Sequence, residues 1–199
     1  ESSLSGVQYT DFIPCLWYQR SIDVPADWAG KNIMLNFGAV DYEAVIYIDG
    51  KFVGRHYGAG SSFSLDVTKF VKAGQSANLV VMVKDALRGG KQPGGKQSVG
   101  FYSAGCNYTR VTGIWQTVWM EAVDKCGLER VQVLTDIDQG QIVVTPTFYG
   151  YAAGNKFAIS VKDGAKVVSK VEVAASQGMP VVVPVKKAKL WSPESPFLY

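Results

Sequence analysis

Apolar residues along this chain come in short runs, alternate with polar ones and are cut every few positions by Gly, Pro, Asn or Asp. That is the pattern of β-strands rather than helices. Stretches 33–37, 44–48, 79–83 and 114–120 are the clearest strands, each dominated by β-branched, aromatic and other apolar side chains. Asp49-Gly50 and Asp163-Gly164 each separate two such runs and predict two-residue hairpins of type I′, with positive φ at both turn residues. Only 67–72 reads as a short helical turn, and Asp66 ahead of Val67-Thr68 is placed to cap it through its carboxylate. The expected fold class is all-β.

The pattern shifts near 124–127. Before it the strands carry many aromatics and long glycine-rich connections, whereas 131–185 is Val-rich, evenly spaced and free of tryptophan, as in a small sandwich. Two domains are expected, 1–124 and 125–199. Within 114–120 the two-residue period puts Trp115, Thr117 and Trp119 on one face and Ile114, Val118 and Met120 on the other. A strand apolar on both faces has to be covered on both, so the two tryptophans are expected to pack into a core. Their alternative use is as a stacking platform for a sugar ring.

With 199 residues, 47% of them hydrophobic, the chain can bury a sizeable core. It has no run of about 18 apolar residues to span a membrane. Its first residues lack a basic segment followed by an apolar one, so no signal peptide is read in them, although a removed leader would leave no trace. The net charge is only +3 and the basic residues are dispersed, so a nucleic-acid partner is not expected. Lys186, Lys187 and Lys189 are the exception and read as charges that keep an edge strand soluble.

Cys15, Cys106 and Cys126 show no Cys-x-x-Cys spacing, which argues against a disulfide framework and against zinc. His56 is the single histidine, in a glycine-rich turn, and is expected at the surface or a rim. Gly90, Gly95 and Lys96 have the spacing of a phosphate-binding loop, but Gln97 stands where Ser or Thr would hold Mg²⁺ and no helix pattern follows. No cofactor and no metal are expected.

Gly113-Ile114-Trp115-Gln116-Thr117-Val118-Trp119-Met120-Glu121 resembles the strand that closes the sugar-binding-like jelly roll at the front of glycoside hydrolase family 2 enzymes, which include β-galactosidases, β-glucuronidases and β-mannosidases. Trp17-Tyr18-Gln19-Arg20 with Val24-Pro25 is similar to the family's Trp-Tyr-Arg-Arg segment and its following Val-Pro. Asn36-Phe37-Gly38-Ala39-Val40-Asp41-Tyr42-Glu43-Ala44 and Asp49-Gly50-Lys51-Phe52-Val53-Gly54 are similar to a Phe-Gly-Ala-Val-Asp strand and the Asn-Gly hairpin after it. Tyr57-Gly58-Ala59-Gly60-Ser61-Ser62-Phe63-Ser64-Leu65-Asp66-Val67-Thr68 looks like the Gly-Gly-Tyr-x-Pro-Phe-x-x-Asp-Ile-Thr segment. The blocks keep the family's order.

The resemblance implies a galactose-binding-like jelly-roll β-sandwich followed by an immunoglobulin-like β-sandwich. It places the catalytic acid and nucleophile on a (β/α)8 barrel C-terminal to this region, and nothing in the chain resembles that barrel. Trp191-Ser192-Pro193-Glu194-Ser195-Pro196-Phe197-Leu198-Tyr199 resembles the segment leading into the last strands of the second sandwich. That sandwich is therefore expected to be incomplete, with an open edge suited to self-association or to a missing piece of the same protein. Family members usually carry a further strand ahead of the region matching Ser5 to Tyr18. The implied role is the non-catalytic N-terminal region of an O-glycosidase, β-galactosidase-like, bracing the barrel and shaping its substrate mouth. Its partners would be a carbohydrate and the barrel.

Retaining glycosidases use two carboxylates about 5–5.5 Å apart. Asp41 and Glu43 are the tightest acidic pair on an expected strand, but a strand start should set them against turn amides or solvent, and no catalytic residue is assigned. The connection 85–110 exceeds the roughly 12–15 residues of an ordinary loop, a length associated with function. Its Gly95-Lys96-Gln97 resembles an Arg-Gly-Lys-Gln motif of a family subset, with Gly94 in place of Arg. By position, Asn107 stands where some β-galactosidases have an aspartate that helps hold sodium and the sugar, and an amide binds hydroxyls without a charge. Asp85, Lys96, Gln97, Asn107, Tyr108 and Arg110 are the candidate sugar contacts, with a structural Asp85–Arg110 ion pair as the alternative for two of them. The rival function is an autonomous carbohydrate-binding module. Periplasmic and cytoplasmic locations both remain open.

Overall fold

The computed structural model describes residues 11–199, and they are all-β apart from two single 3-10 turns, Ala26–Trp28 and Leu87–Gly89. In chain order the strands are β1 (Cys15–Asp23), β2 (Asn32–Phe37), β3 (Val40–Asp41), β4 (Glu43–Ile48), β5 (Lys51–Tyr57), β6 (Phe63–Asp66), β7 (Ser76–Lys84), β8 (Gly113–Ile114) and β9 (Val118–Val123). They continue with β10 (Leu128–Asp136), β11 (Gln141–Phe148), β12 (Lys156–Asp163), β13 (Lys166–Ala174) and β14 (Val181–Pro184). The chain divides into two compact units between Val123 and Asp124.

In the first unit a sheet of order β1-β7-β4-β5 and a sheet of order β6-β2-β9 form a sandwich, and the short β3 and β8 pair beside them. Leu35 and Phe37 of β2 cluster with Ile46 and Ile48 of β4 and Val81 and Val83 of β7, all buried. Removing side chains of this size from water stabilises the fold by about 1.5–3 kcal/mol each. The Asp49-Gly50 turn has the expected form, with φ of 48° and 73°. Asp66 Oδ1 accepts the Thr68 amide at 2.9 Å, but the chain then closes only one turn, through Phe70 N–H to Val67 O at 2.8 Å, in place of the expected helical turn.

The expected continuous strand 114–120 is broken. β8 ends at Ile114 and β9 starts at Val118, because 115–117 step between partners: Trp115 N–H reaches Ala39 O at 3.4 Å and Gly38 N–H reaches Thr117 O at 2.8 Å. The two tryptophans do not enter the core; Trp115 is 49% and Trp119 43% exposed. Trp119 pairs with Asn36 across β9 and β2, on the sheet face that also carries Glu121 and Ser64, while Val118 and Met120 pack inward. Polar neighbours hold that face outward.

The second unit sets β10-β11-β14 against the hairpin β12-β13, with Val144, Phe157, Val161, Val181 and Val183 buried in its core. Asp163 stays in the ladder opposite Lys166, so the turn is Gly164-Ala165 rather than Asp163-Gly164. Of these residues only Gly164 has positive φ, 58°, as a turn needing that conformation solely at its first central residue allows. Lys186, Lys187 and Lys189 also depart from expectation, because they follow β14 in a turn and loop rather than lying on an edge strand.

Candidate functional site

β7 ends at Lys84 and β8 begins at Gly113, and the connection between them is stitched to itself in two layers. Ser98 N–H donates to Tyr108 O at 2.8 Å and Tyr108 N–H to Lys96 O at 2.9 Å, forming a parallel bridge between Gln97 and Tyr108. A turn closed by Asn107 N–H to Ala104 O at 3.0 Å precedes it. Backbone groups that a loop would leave to water are thus paired inside it.

The lower layer is buried and polar. The Asp85 carboxylate accepts Gln92 Nε2 at 2.6 Å and Thr112 Oγ1 at 2.8 Å, and it is these neutral donors, not an ion pair with Arg110, that hold it. Gln97 bridges two strands of chain, its Nε2 donating to Asp41 Oδ2 at 2.7 Å and its Oε1 accepting the Val111 amide at 2.7 Å. Asp41 is 2% exposed and lies opposite Gly113 in the β3–β8 pair; the peptide that follows Asp41 is cis. Gly113 itself has φ of 96°, and a Cβ there would strike the Tyr18 hydroxyl, so only glycine lets β8 approach β1 this closely.

Arg110 is the largest fully buried side chain, 1% exposed. Its guanidinium donates Nη1 to Gly100 O at 3.2 Å and lies 3.8 Å from the Phe12 ring centroid, an arrangement in which a planar cation keeps electrostatic partners without water. Arg88 lies over the same ring at 4.1 Å.

The upper layer is exposed. Lys96, Asn107 and Tyr108 face solvent, with Tyr108 52% exposed. Of the six candidate contacts, the structure therefore brings Lys96, Gln97 and Tyr108 together with Asn107 next in the chain. It puts Asp85 and Arg110 beneath them, as supports with no open surface of their own. Sequence reasoning did not select Asp41, Gln92, Thr112 or Phe12. An aspartate inside the apolar block 37–46 was a signal for Asp41; Gln92 and Thr112 gave none.

Asp41 and Glu43 do not share a site. Glu43 pairs with Arg55 at 3.2 Å and accepts the Tyr57 hydroxyl, while Asp41 turns to Gln97. His56 sits in β5 rather than in a turn, stacked on Phe63 with 4.1 Å between ring centroids and 3.1 Å from Ser61 Oγ. Among the described residues no group of three or more His, Cys, Asp or Glu is arranged to hold a metal ion, and no helix is long and apolar enough to cross a membrane. The three cysteines are free thiols. Apart from the connection, a groove of about 610 Å³ runs between β1 and β9, the outer strands of their sheets among the described residues, and is lined by core residues such as Phe37, Val81 and Met120. None of the six candidate contacts lines it.

Antiparallel β-sandwiches host many unrelated functions, lectin-like sugar binding among them, so the fold alone assigns none. Residues 6–122 match the family described as "Glycosyl hydrolases family 2, sugar binding domain", and the chain belongs to glycoside hydrolase family 2. A β-galactosidase of Thermoanaerobacter pseudethanolicus is 27% identical over 92% of the chain, and a β-glucuronidase of Paenibacillus borealis 24% identical over 95%. The match occupies 25% and 33% of those two relatives, so the chain spans a quarter to a third of their length. The solved β-D-glucuronidase of Dictyoglomus thermophilum superposes with a TM-score of 0.70 at 25% identity, covering 93% of this chain and 33% of that one.

Proposed function

We propose that this chain is the non-catalytic N-terminal region of a family 2 O-glycosidase, with a jelly-roll domain at 1–124 and an immunoglobulin-like domain at 125–199. In that reading it braces a catalytic barrel carried by the same protein and shapes the barrel's substrate mouth. What supports it is the two-layer build of 85–112, where buried Asp41, held by Gln97, buried Asp85, held by Gln92 and Thr112, and buried Arg110 underlie the exposed Lys96, Asn107 and Tyr108. An ammonium, an amide and a phenol ring together supply donors, an acceptor and an apolar face, the groups that hold sugar hydroxyls and ring C–H surfaces. Gln97 and the buried Asp41, Asp85 and Arg110 are positioning residues for that crest, and no carboxylate of the chain is assigned to bond cleavage.

The native polypeptide should then weigh roughly three to four times the 21.6 kDa of this chain, as the relatives' coverage requires. In that enzyme Tyr108→Ala should raise KM for an aryl β-glycoside several-fold and leave kcat nearly unchanged, the sign of a contact made equally in ground and transition state. A native polypeptide of 21.6 kDa, or turnover by the repurified 199-residue chain, would overturn the reading. The first of those results would favour the autonomous carbohydrate-binding module.

A further inference from the structure

The break in the 114–120 strand leaves a surface that the connection 85–112 does not touch. Gly38, Ser62, Ile114, Trp115, Gln116, Thr117 and Trp119 line a shallow, open depression of about 770 Å³. Trp115 is not loose on that surface. Its Nε1 donates to Ala59 O at 2.7 Å, which fixes the plane of the indole while nearly half of the residue stays exposed. Trp119, on the flanking strand, presents a second half-exposed indole to the same depression. Two large apolar side chains of the first unit are thus kept out of a core whose inward positions beside them are occupied by Val118 and Met120.

The polar complement is equally specific. Gln116 projects over Gly38 so closely that a Cβ at 38 would meet its side chain at 2.8 Å, and the glycine is what leaves room for the amide. Ser62 Oγ and the exposed Thr117 add hydroxyls, with Ser62 already donating to Gly38 O at 3.0 Å and free to accept. Among the described residues no charged side chain lines the depression. Aromatic faces that cover ring C–H surfaces, combined with neutral amide and hydroxyl partners, recognise an uncharged polyhydroxylated ring. A carboxylate or phosphate would find no cation there.

We infer that Trp115 and Trp119, with Gln116, Thr117 and Ser62, form a binding platform for a neutral pyranoside, separate from the Lys96–Asn107–Tyr108 crest. The two indoles stack against the sugar and Gln116 takes its hydroxyls. The platform stands on these five residues and does not depend on the barrel-bracing role.

Calorimetric titration of the 199-residue chain with lactose, cellobiose, mannobiose and glucuronic acid tests it. At least one neutral disaccharide should bind, glucuronic acid should bind more weakly, and Trp119→Ala should weaken the neutral ligand about tenfold or more. Trp115→Phe keeps a ring but loses the bond to Ala59, so a smaller loss is expected, and its melting temperature shows whether the fold survives. Lys156→Ala, in the second unit and outside both the platform and the crest, should leave this binding unchanged. Absence of binding for all three disaccharides at tens of millimolar, or binding that survives the Trp115→Phe/Trp119→Ala double variant, would overturn the inference. Binding lost in Tyr108→Ala alone would place the sugar on the crest, sinking the platform while leaving the proposed function intact.

Discussion

The two units solve the problem of polar side chains in opposite ways. In the first, Asn36, Asp41, Asp85, Ser98, Thr109 and Arg110 are buried; among the described residues, no polar or charged side chain of the second unit is. The second unit fills its interior with Val144, Phe157, Val161, Val181, Val183 and Val185, and its ion pairs, Lys156–Glu172 and Lys189–Asp163, lie at the surface. Burial of charge is costly and is compensated only by complete pairing, so it adds little stability that an apolar core would not supply. Its concentration under one connection of one unit marks where geometry rather than stability is being held.

That contrast can be broken by removing one group from each unit. Arg110→Ala should destabilise the first unit by about 3–5 kcal/mol, because it deletes the largest buried side chain, opens a cavity against Phe12 and strands Gly100 O. Four of the five tryptophans, Trp17, Trp28, Trp115 and Trp119, lie in that unit, so urea denaturation followed by indole fluorescence reads it selectively. Lys156→Ala in the second unit breaks a 2.8 Å ion pair whose partners are 71% and 44% exposed, and it should cost no more than about 1 kcal/mol by circular dichroism. A loss for Arg110→Ala no larger than for Lys156→Ala would remove the distinction between the units.

Much of this contrast was legible in the residues and part of it was not. The strands at 33–37, 44–48 and 79–83 follow from local alternation and β-branched content, and the observed β2, β4 and β7 enclose them with small extensions. The Asp49-Gly50 hairpin follows from the same local chemistry. The 114–120 segment was misread because period-two alternation says which residues share a face but not which face meets a core. That depended on Gly38, Ala39 and Ala59 supplying partners from other parts of the chain. The length and polarity of 85–110 marked it as unusual. Which of its residues were buried depended on Gln92, Thr112 and Asp41, whose approach is set by tertiary pairing that spacing does not encode.

The smallest expected effect sharpens the comparison, because it concerns a titratable group half-sunk in the first unit. His56 stacks on Phe63, and burial holds its pKa below the ordinary 6.5 despite hydrogen bonds at Ser61 and Gly58 that favour the charged ring. Above that value both folded and unfolded forms are neutral and the residue adds no pH dependence. As the pH falls through it the unfolded chain takes up the proton first, so stability is lost until the depressed folded-state pKa is reached and is level again below it. Other groups titrate in the same window, so the quantity to follow is the difference in Tm between the native chain and His56→Gln. Between about pH 7.5 and about pH 5 the native chain should lose more stability than the variant. The reverse order would mean that the Ser61 and Gly58 contacts outweigh burial and that the folded state prefers the imidazolium. The first unit would then stabilise a charge at its rim as well as beneath its connection.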